Sequence, residues 1–371
     1  MRRPLAVLLA ITTMALTAAF TAPALATGTP AGAHAAITIT SNAGFATCGC
    51  VTGGAGTAAN PYIIGPWSIN APSGGTSGWS VKIDNSHGKI TDYFNIFGIS
   101  STYNDTSTTD PTIWLVGVTT PTTISGTSSL PTGGNDLGIG IELDNSANIS
   151  VDNVNYNKDN GTGIYLNGAT NVSINNGKFK STCVLCSPHA GDGVYAVNSS
   201  DINIGTGADC PNSTPCNSVT YDDGFGIYLQ DTHDVVINQA AADSNDTGGY
   251  VLDGSSTYNV TLENSTSDGT GPICISYNGQ KVNTGYFTDL QGGLHIINGA
   301  HNNTITGDSF TANSGISVAS GGNGFYYNIC TGNTNQPFSP VEAGMGANNT
   351  FTNICYTSTN IASLPPSTCK S

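Results

Sequence analysis

Two stretches of the sequence match position for position: Gly163-Ile-Tyr-Leu-Asn-Gly-Ala-Thr-Asn-Val-Ser-Ile174 and Gly193-Val-Tyr-Ala-Val-Asn-Ser-Ser-Asp-Ile-Asn-Ile204. The same unit returns a third time from Gly226 to Ile237. Within each unit, apolar residues alternate with other residues on both sides of a small polar corner, which is the period-two pattern of two short β-strands. A self-similar unit of this length predicts a repeat architecture rather than a globule.

Stacking explains how such short strands are stabilised. One unit cannot bury its apolar face alone, but neighbouring units stacked on one another form a continuous core. The alignment predicts one interior column, formed by Ile141, Ile164, Val194 and Ile227. It also aligns the polar corner residues, which hydrogen-bond locally and to the next coil: Asn148, Asn171, Asp201, Asp234 and Asn259. The sequence therefore predicts an all-β parallel solenoid with coils of about 22–25 residues.

These repeats resemble a known family. The segment from Gly56 to Ile64 and the repeat Asn302-Asn-Thr-Ile-Thr-Gly307 are similar to segments of right-handed parallel β-helix proteins of the pectin-lyase-like superfold, with repeats nearest to the NosD-like group. The resemblance covers roughly residues 37–330. It implies a single-stranded right-handed parallel β-helix. Because the superfold contains lyases, hydrolases, epimerases and non-enzymatic surface proteins, it implies no single activity.

The ends of the chain predict export and capping. Two arginines, an apolar stretch and Ala24-Leu-Ala26 form a secretory signal, which indicates a secreted bacterial protein. The predicted organisation is a signal peptide at 1–26, an N-terminal segment or cap at 27–44, the β-helix at 45–330 and a disulfide-tied tail or cap at 331–371. No later apolar run is long enough to span a membrane, and we expect no membrane insertion and a monomer.

Charge limits the partners. Both arginines lie in the signal, so the mature chain has seven lysines against 24 acidic residues, a formal charge of −17. Nucleic acids and anionic membranes are excluded as partners because they require clustered positive charge. Strongly anionic polysaccharides are disfavoured unless a bound cation intervenes. The most plausible partner class is an extracellular polysaccharide.

Ten cysteines in an exported chain favour disulfides. The spacing of Cys183 and Cys186 is also that of zinc or redox sites, and this alternative stays open. The pairing of the cysteines does not follow from the sequence.

A cluster of acidic residues is the candidate catalytic site. Two insertions, at 178–191 and 205–223, are expected to lie side by side. Near them the repeat aligns Asp222, Asp223, Asp246 and His189. Crowded carboxyl groups raise each other's pKa, as an acid catalyst of glycoside hydrolysis requires. Two alternatives remain: turn residues that bond the backbone, and a calcium site formed by Asp159, Asp222 and Asp268. We expect that the protein requires no cofactor, and calcium is the one ion that it is a candidate to bind.

An outward column is the candidate substrate-binding site. If the apolar positions point inward, four others on neighbouring coils point outward: Glu142, Tyr165, Tyr195 and Tyr228. Stacked tyrosines offer flat apolar surfaces with hydroxyl edges, on which sugar rings bind. The alternative is aromatic β-propensity on a covered face.

The resulting hypothesis is a secreted β-helix protein that binds an extracellular polysaccharide along its outer face, with hydrolysis left open. If it is an enzyme, it is a glycoside hydrolase or lyase of this superfold. Asp222-Asp223-Gly224 resembles a polygalacturonase element, but the Gly-His-Gly and Arg-x-Lys elements are missing, and a uronate carboxylate lacks its arginine partner. The alternative is a non-catalytic cell-surface or structural protein.

Overall fold

The computed structural model consists of three long sheets that wind around one core. It describes residues 32–70, 78–102, 111–129, 138–157, 161–180, 192–205, 217–220, 225–243, 248–268, 274–277, 280–283, 292–306, 309–311, 316–319, 350–352 and 355–356. Each coil of the chain contributes one strand to each sheet in turn, and strands of successive coils pair in parallel. The first pair of the second sheet, Val51–Gly53 with Tyr62–Ile64, is antiparallel. The predicted parallel β-helix is confirmed.

The first sheet has ten described strands: Ile37–Ile39, Val81–Asp84, Ile113–Val116, Ile141–Asp144, Ile164–Asn167, Val194–Val197, Phe225–Gln230, Gly248–Asp253, Gly292–Ile297 and Ile316–Ala319. The second has eleven: Val51–Gly53, Tyr62–Ile64, Phe94–Phe97, Thr122–Ser125, Ala147–Asp152, Thr170–Asn175, Ser200–Ile204, His233–Asn238, Val260–Glu263, Thr304–Thr306 and Thr350–Thr352. The third also has eleven: Ala33–His34, Trp67–Asn70, Ile99–Thr102, Ser128–Ser129, Asn155–Asn157, Lys178–Lys180, Asn217–Thr220, Ala240–Asp243, Thr266–Asp268, Ser309–Thr311 and Cys355–Tyr356. A separate antiparallel pair joins Cys274–Tyr277 to Gln280–Asn283.

The third sheet is a correction to the sequence analysis, which predicted two strands per coil. Its strands are short, down to the two residues Ser128–Ser129, so they show too little alternation to be detected. Parts of the two predicted insertions belong to this sheet, because Lys178–Lys180 pairs with Asn217–Thr220. The chain between Lys178–Lys180 and Val194–Val197 therefore joins the third sheet to the first, whereas the chain between Ser200–Ile204 and Asn217–Thr220 joins the second sheet to the third.

The interior column lies where the repeat places it. Ile141 pairs with Ile164, Ile164 with Val194, and Val194 with Ile227, and all four are buried. The next residue in the column is Tyr250, which is fully buried. Its hydroxyl donates to the carbonyl oxygens of Ala240 and Thr266, so the polar atom is satisfied inside the core.

The polar corner residues adopt the left-handed backbone conformation. Asn148, Asn171 and Asn259 have φ values of 62°, 54° and 54°, a region that Asn and Asp tolerate better than other side chains. Asn171 Nδ2 donates to Asn148 Oδ1 at 2.7 Å on the preceding coil, and Asn259 Nδ2 donates to Asp234 Oδ1 at 3.0 Å. The predicted structural role of these residues is confirmed.

The N-terminal end of the β-helix carries a short helix, Asn42–Thr47. Its buried Phe45 packs against the rings of Tyr62 and Phe94, with centroids 5.1 and 5.4 Å away. Cys48 and Cys50, which follow the helix, form a disulfide.

At the other end, the strands at 350–352 and 355–356 continue the second and third sheets past residue 330. Within the described ranges, no helix has the length and apolar character needed to cross a membrane.

Candidate binding face on the first sheet

The outer surface of the first sheet carries most of the exposed aromatic groups predicted from the repeat. Strand pairing places one outward column in register, formed by Lys82, Trp114, Glu142, Tyr165, Tyr195 and Tyr228. Trp79 joins the column because its ring contacts that of Trp114, with centroids 5.9 Å apart. We call the following side chains the aromatic row: Trp79, Trp114, Tyr165, Tyr195 and Tyr228.

Tyr165 and Tyr195 are half-buried and stack on one another. Their ring centroids are 5.2 Å apart and their planes differ by 24°. The Tyr195 hydroxyl donates to Gln230 Oε1 at 2.6 Å, whereas the Tyr165 hydroxyl makes no hydrogen bond within the described part of the chain. Because each ring covers a face of the other, the pair offers ring edges and the Tyr165 hydroxyl to a ligand. This differs from the flat platform that the sequence predicted.

Tyr228 corrects the prediction of three exposed tyrosines, because it is only 5% exposed. Its ring lies edge-on to Tyr195 and Phe225, with centroids 5.4 and 5.0 Å away, in a small apolar cluster with Val251. Its hydroxyl donates to Asp253 Oδ2 at 2.5 Å. Tyr228 therefore packs against Tyr195 from the next coil and does not itself contact a ligand.

The tyrosines of the row keep their phenolic protons. Burial is the main cause that raises the pKa of Tyr195 to about 12, and it raises the pKa of Tyr228 further. Burial, and then the carboxylates of Glu142 and Asp144, raise the pKa of Tyr165 above its ordinary value. The Tyr165 hydroxyl is therefore a hydrogen-bond donor at neutral pH.

Two tryptophans form the N-terminal end of the row. Trp114 Nε1 donates to Asp144 Oδ2 at 2.8 Å, and Trp79 Nε1 donates to Thr38 Oγ1 at 3.0 Å, so both indoles are oriented by hydrogen bonds. The Lys82 ammonium lies 3.6 Å from the ring centroid of Trp114 and 4.9 Å from that of Trp79. This is cation–π geometry.

The tryptophan end of the row was not predicted from the sequence, although the repeat contains a signal for it. Ile113-Trp-Leu-Val116 has the same alternation as Ile141-Glu-Leu-Asp144 and precedes it by one coil. Extending the repeat one unit upstream would have placed Trp114 beside Glu142.

A second outward column supplies hydrogen-bond acceptors beside the row. Its polar members are Asp84, Asp144, Asn167, Gln230 and Asp253. Asp144 also accepts from Asn167 Nδ2 at 3.0 Å. A hydrogen bond from the Ser86 hydroxyl is the main cause that lowers the pKa of Asp84, so this carboxylate is ionised at neutral pH.

The predicted catalytic residues cannot be placed against this face. Asp222, Asp223, Asp246 and His189 lie outside the described residues, as does Asp159 of the calcium hypothesis. Asp268 ends the strand Thr266–Asp268 of the third sheet, away from the aromatic row. In the part of the chain that the structure describes, no three His, Cys, Asp or Glu residues are grouped so as to hold a metal ion.

Comparison with known proteins identifies the fold. Residues 134–335 match the family profile of the right handed beta helix region. No curated protein sequence matches the chain.

Similar solved structures include the catalytic domain of a GH87 alpha-1,3-glucanase in complex with nigerose, with a TM-score of 0.46, 13% identity and coverage of 89% of this chain and 59% of that one. Pectate lyase Pel9A has a TM-score of 0.37, 12% identity and coverage of 82% and 69%. An alginate lyase from Paenibacillus sp. str. FPU-7 has a TM-score of 0.37, 12% identity and coverage of 88% and 99%. The chain thus spans only 59% of the glucanase domain, and at these identities the likeness concerns the fold alone.

Proposed function

The chain belongs to the right-handed beta helix family, and from this premise we propose that the outer face of its first sheet binds an extracellular polysaccharide. The observation that supports the proposal is the aromatic row with a column of hydrogen-bond acceptors beside it. Sugars present apolar C–H surfaces and many hydroxyls, so they bind where aromatic rings and oriented polar groups alternate.

Each part of the face has a role in this proposal. Trp114 and the Tyr165–Tyr195 pair provide aromatic contact area, and the Tyr165 hydroxyl donates to a sugar oxygen. Asp144 and Asn167 accept hydrogen bonds from sugar hydroxyls, because each carboxylate or amide oxygen has more than one lone pair.

Polyuronates do not fit this proposal. Uronate carboxylates are bound by arginine or free lysine, and Lys82 is the only lysine or arginine in the two outward columns on the described strands of the first sheet. The histidine of these columns, His295, is fully buried. The Lys82 ammonium already lies against Trp114 and 3.9 Å from Asp84. We therefore expect the ligand to lack acidic sugars.

Affinity electrophoresis tests the proposal. The protein is run through gels that contain α-glucan, β-glucan, xylan, mannan, soluble chitosan or polygalacturonate. We expect retardation by a polymer without uronate, and we expect Trp114→Ala and Tyr165→Ala to weaken it about tenfold, since each removes an aromatic contact worth about 1–1.5 kcal/mol.

Tyr258→Ala is the matched control. Tyr258 is also a half-exposed aromatic residue, but it stacks between His233 and His301 at a corner of the helix, away from the row. Unchanged mobility of Trp114→Ala and Tyr165→Ala, or an equal effect of Tyr258→Ala, would contradict the binding face.

Hydrolysis is a separate step of the proposal. It rests on the sequence alignment of Asp222, Asp223, Asp246 and His189 beside the two insertions. Release of reducing sugar from a bound polymer, abolished by Asp222→Ala or Asp223→Ala with binding retained, is the expected result. Binding without release leaves a non-catalytic carbohydrate-binding protein, and no binding at all favours the structural alternative.

A further inference from the structure

One face of the Trp114 indole is covered by a side chain of the protein itself. The Lys82 ammonium lies 3.6 Å from the Trp114 ring centroid, so it rests on the face of the ring. It also lies 4.9 Å from the ring centroid of Trp79, and the Lys82 side chain is only 16% exposed. The aromatic surface at the N-terminal end of the aromatic row is therefore occupied before any ligand binds.

We propose that Lys82 is an internal competitor of the polysaccharide, and that its ammonium must leave Trp114 before a sugar can contact this ring. The inference rests on the proposed function and specifies how binding at that site is regulated. A sugar binds an indole through its apolar C–H groups and uses the same kind of ring surface as the ammonium. Strand pairing places Trp114 between Lys82 on the preceding coil and Glu142 on the following one, so side chains of both coils flank the ring.

The indole of Trp114 is oriented by contacts other than Lys82. Its Nε1 donates to Asp144 Oδ2 at 2.8 Å. Trp79 packs against it edge-on, with an angle of 64° between the ring planes, and is itself fixed by a hydrogen bond to Thr38 Oγ1 at 3.0 Å. Because these contacts hold the ring, removal of the ammonium should expose Trp114 rather than displace it.

Asp84 offers the displaced ammonium a second partner. Its Oδ2 lies 3.9 Å from Lys82 Nζ, and its Oδ1 accepts hydrogen bonds from the Ser86 hydroxyl and backbone N–H at 2.6 and 3.0 Å. The Ser86 hydroxyl is the main cause that lowers the pKa of Asp84, so the carboxylate is charged at neutral pH. The four-carbon stem of lysine is flexible, so the ammonium can move from the ring to this carboxylate. Its displacement then costs only the contact with the aromatic rings.

Chemical modification tests the covering of Trp114 in the absence of any ligand. Lys82→Thr shortens the side chain to that of Thr38, which occupies the same outward column one coil earlier. N-bromosuccinimide oxidises accessible indoles, and mass spectrometry of peptides gives a rate for each tryptophan. We expect Trp114 to react about threefold faster in Lys82→Thr, which corresponds to the loss of one partly exposed cation–π contact. Trp67, on a third-sheet strand, should react at an unchanged rate.

Polysaccharide binding is then compared by affinity electrophoresis in gels that contain α-glucan, β-glucan, xylan, mannan or soluble chitosan. We expect Lys82→Thr to bind the retarding polymer about threefold more tightly, because the ligand no longer displaces the ammonium. Lys82→Arg should bind no more tightly than the unmodified protein, since a guanidinium group stacks on an indole at least as well. Lys89→Thr is the matched control, because Lys89 is exposed and follows the strand Val81–Asp84 outside the first sheet.

The outcomes separate this inference from the proposed function. An unchanged oxidation rate of Trp114 in Lys82→Thr would show that the ammonium does not cover the ring, and it would overturn the inference. Equal or weaker polymer binding by Lys82→Thr, or an equal gain in Lys89→Thr, would also overturn it, while retardation of the unmodified protein would still support the proposed function. Retardation of no variant by any of the polymers would overturn both.

Discussion

At the corners of this protein, the residue type is determined mainly by the backbone conformation that it must adopt and by its contacts with the neighbouring coil. At the corner between the first and second sheets, Asn171 combines both demands, because its φ is 54° and its side chain donates to Asn148. An amide side chain satisfies the two requirements together, which explains why Asn and Asp recur there.

Substitution of Asn171 separates these two contributions. Asn171→Ala should lower the free energy of unfolding by about 1–2 kcal/mol, because alanine is strained in the left-handed region and loses the hydrogen bond. Asn171→Gly should cost less, since glycine adopts this φ freely. Urea denaturation measures both variants. Equal losses of unfolding free energy in the two variants would show that the left-handed conformation contributes nothing to the stability difference.

The stability of the protein should fall at alkaline pH because of its buried tyrosine hydroxyls. The pKa of Tyr195 is about 12 in the folded chain against an ordinary 10.0. Between these values the unfolded chain releases a proton that the folded chain keeps, so stability is fully present below pH 10 and falls as pH rises toward 12. Tyr195→Phe should flatten this fall in denaturant midpoints measured from pH 9 to 12. A slope equal to that of the unmodified protein would contradict the assignment.

At the scale of elements, close approach of successive coils depends on small residues before the first-sheet strands. A Cβ added to Gly163 would lie 2.6 Å from the carbonyl oxygen of Gly193 on the next coil and would clash with the Phe179 ring. Glycine at this point lets the strands pair without displacing an interior aromatic side chain.

Gly163→Ala should therefore destabilise the fold by about 1–3 kcal/mol through overpacking. Gly53→Ala is a suitable control, because a Cβ there meets only Ile63 at 3.9 Å. Thermal unfolding should show a lower midpoint for Gly163→Ala and little change for Gly53→Ala. A similar unfolding temperature for both variants would mean that the coils can move apart at Gly163 without loss of stability.

At the scale of the whole molecule, the solenoid turns one outward position into a linear surface. The accessible part of the row, from Trp114 to Tyr195, crosses four first-sheet strands, which spans about 14 Å at the usual strand spacing. No single coil provides this length.

Ligand length should reflect that span. Affinity for oligosaccharides of the preferred sugar should rise up to about three to four units and then level off, because longer chains extend past the accessible part of the row. Titration with a series from dimer to octamer measures this dependence. Full affinity already at the dimer would show that only one coil contributes.

The fold could be predicted from the sequence because the alternation of apolar residues that determines it is local and repeated. The alternation around Ile141, Ile164, Val194 and Ile227 is a property of each strand, and stacking follows from it. The position of Tyr165 and Tyr195 in one outward column follows from the same alternation. The third sheet was not readable, since strands such as Ser128–Ser129 are too short to show a period.

What the sequence alone determined is the coil, its inward column and the outward register of the tyrosines, because periodicity sets which side of a strand each residue occupies. Only the tertiary structure decided which of those outward residues are exposed and which groups their side chains contact. Tyr228 is buried because Tyr195 and Val251 from the neighbouring coils pack around it together with Phe225 of its own strand. The Lys82 ammonium lies on Trp114 from the next coil. Burial and ring contact depend on neighbours from other coils, whose distance in sequence varies with the loops between them.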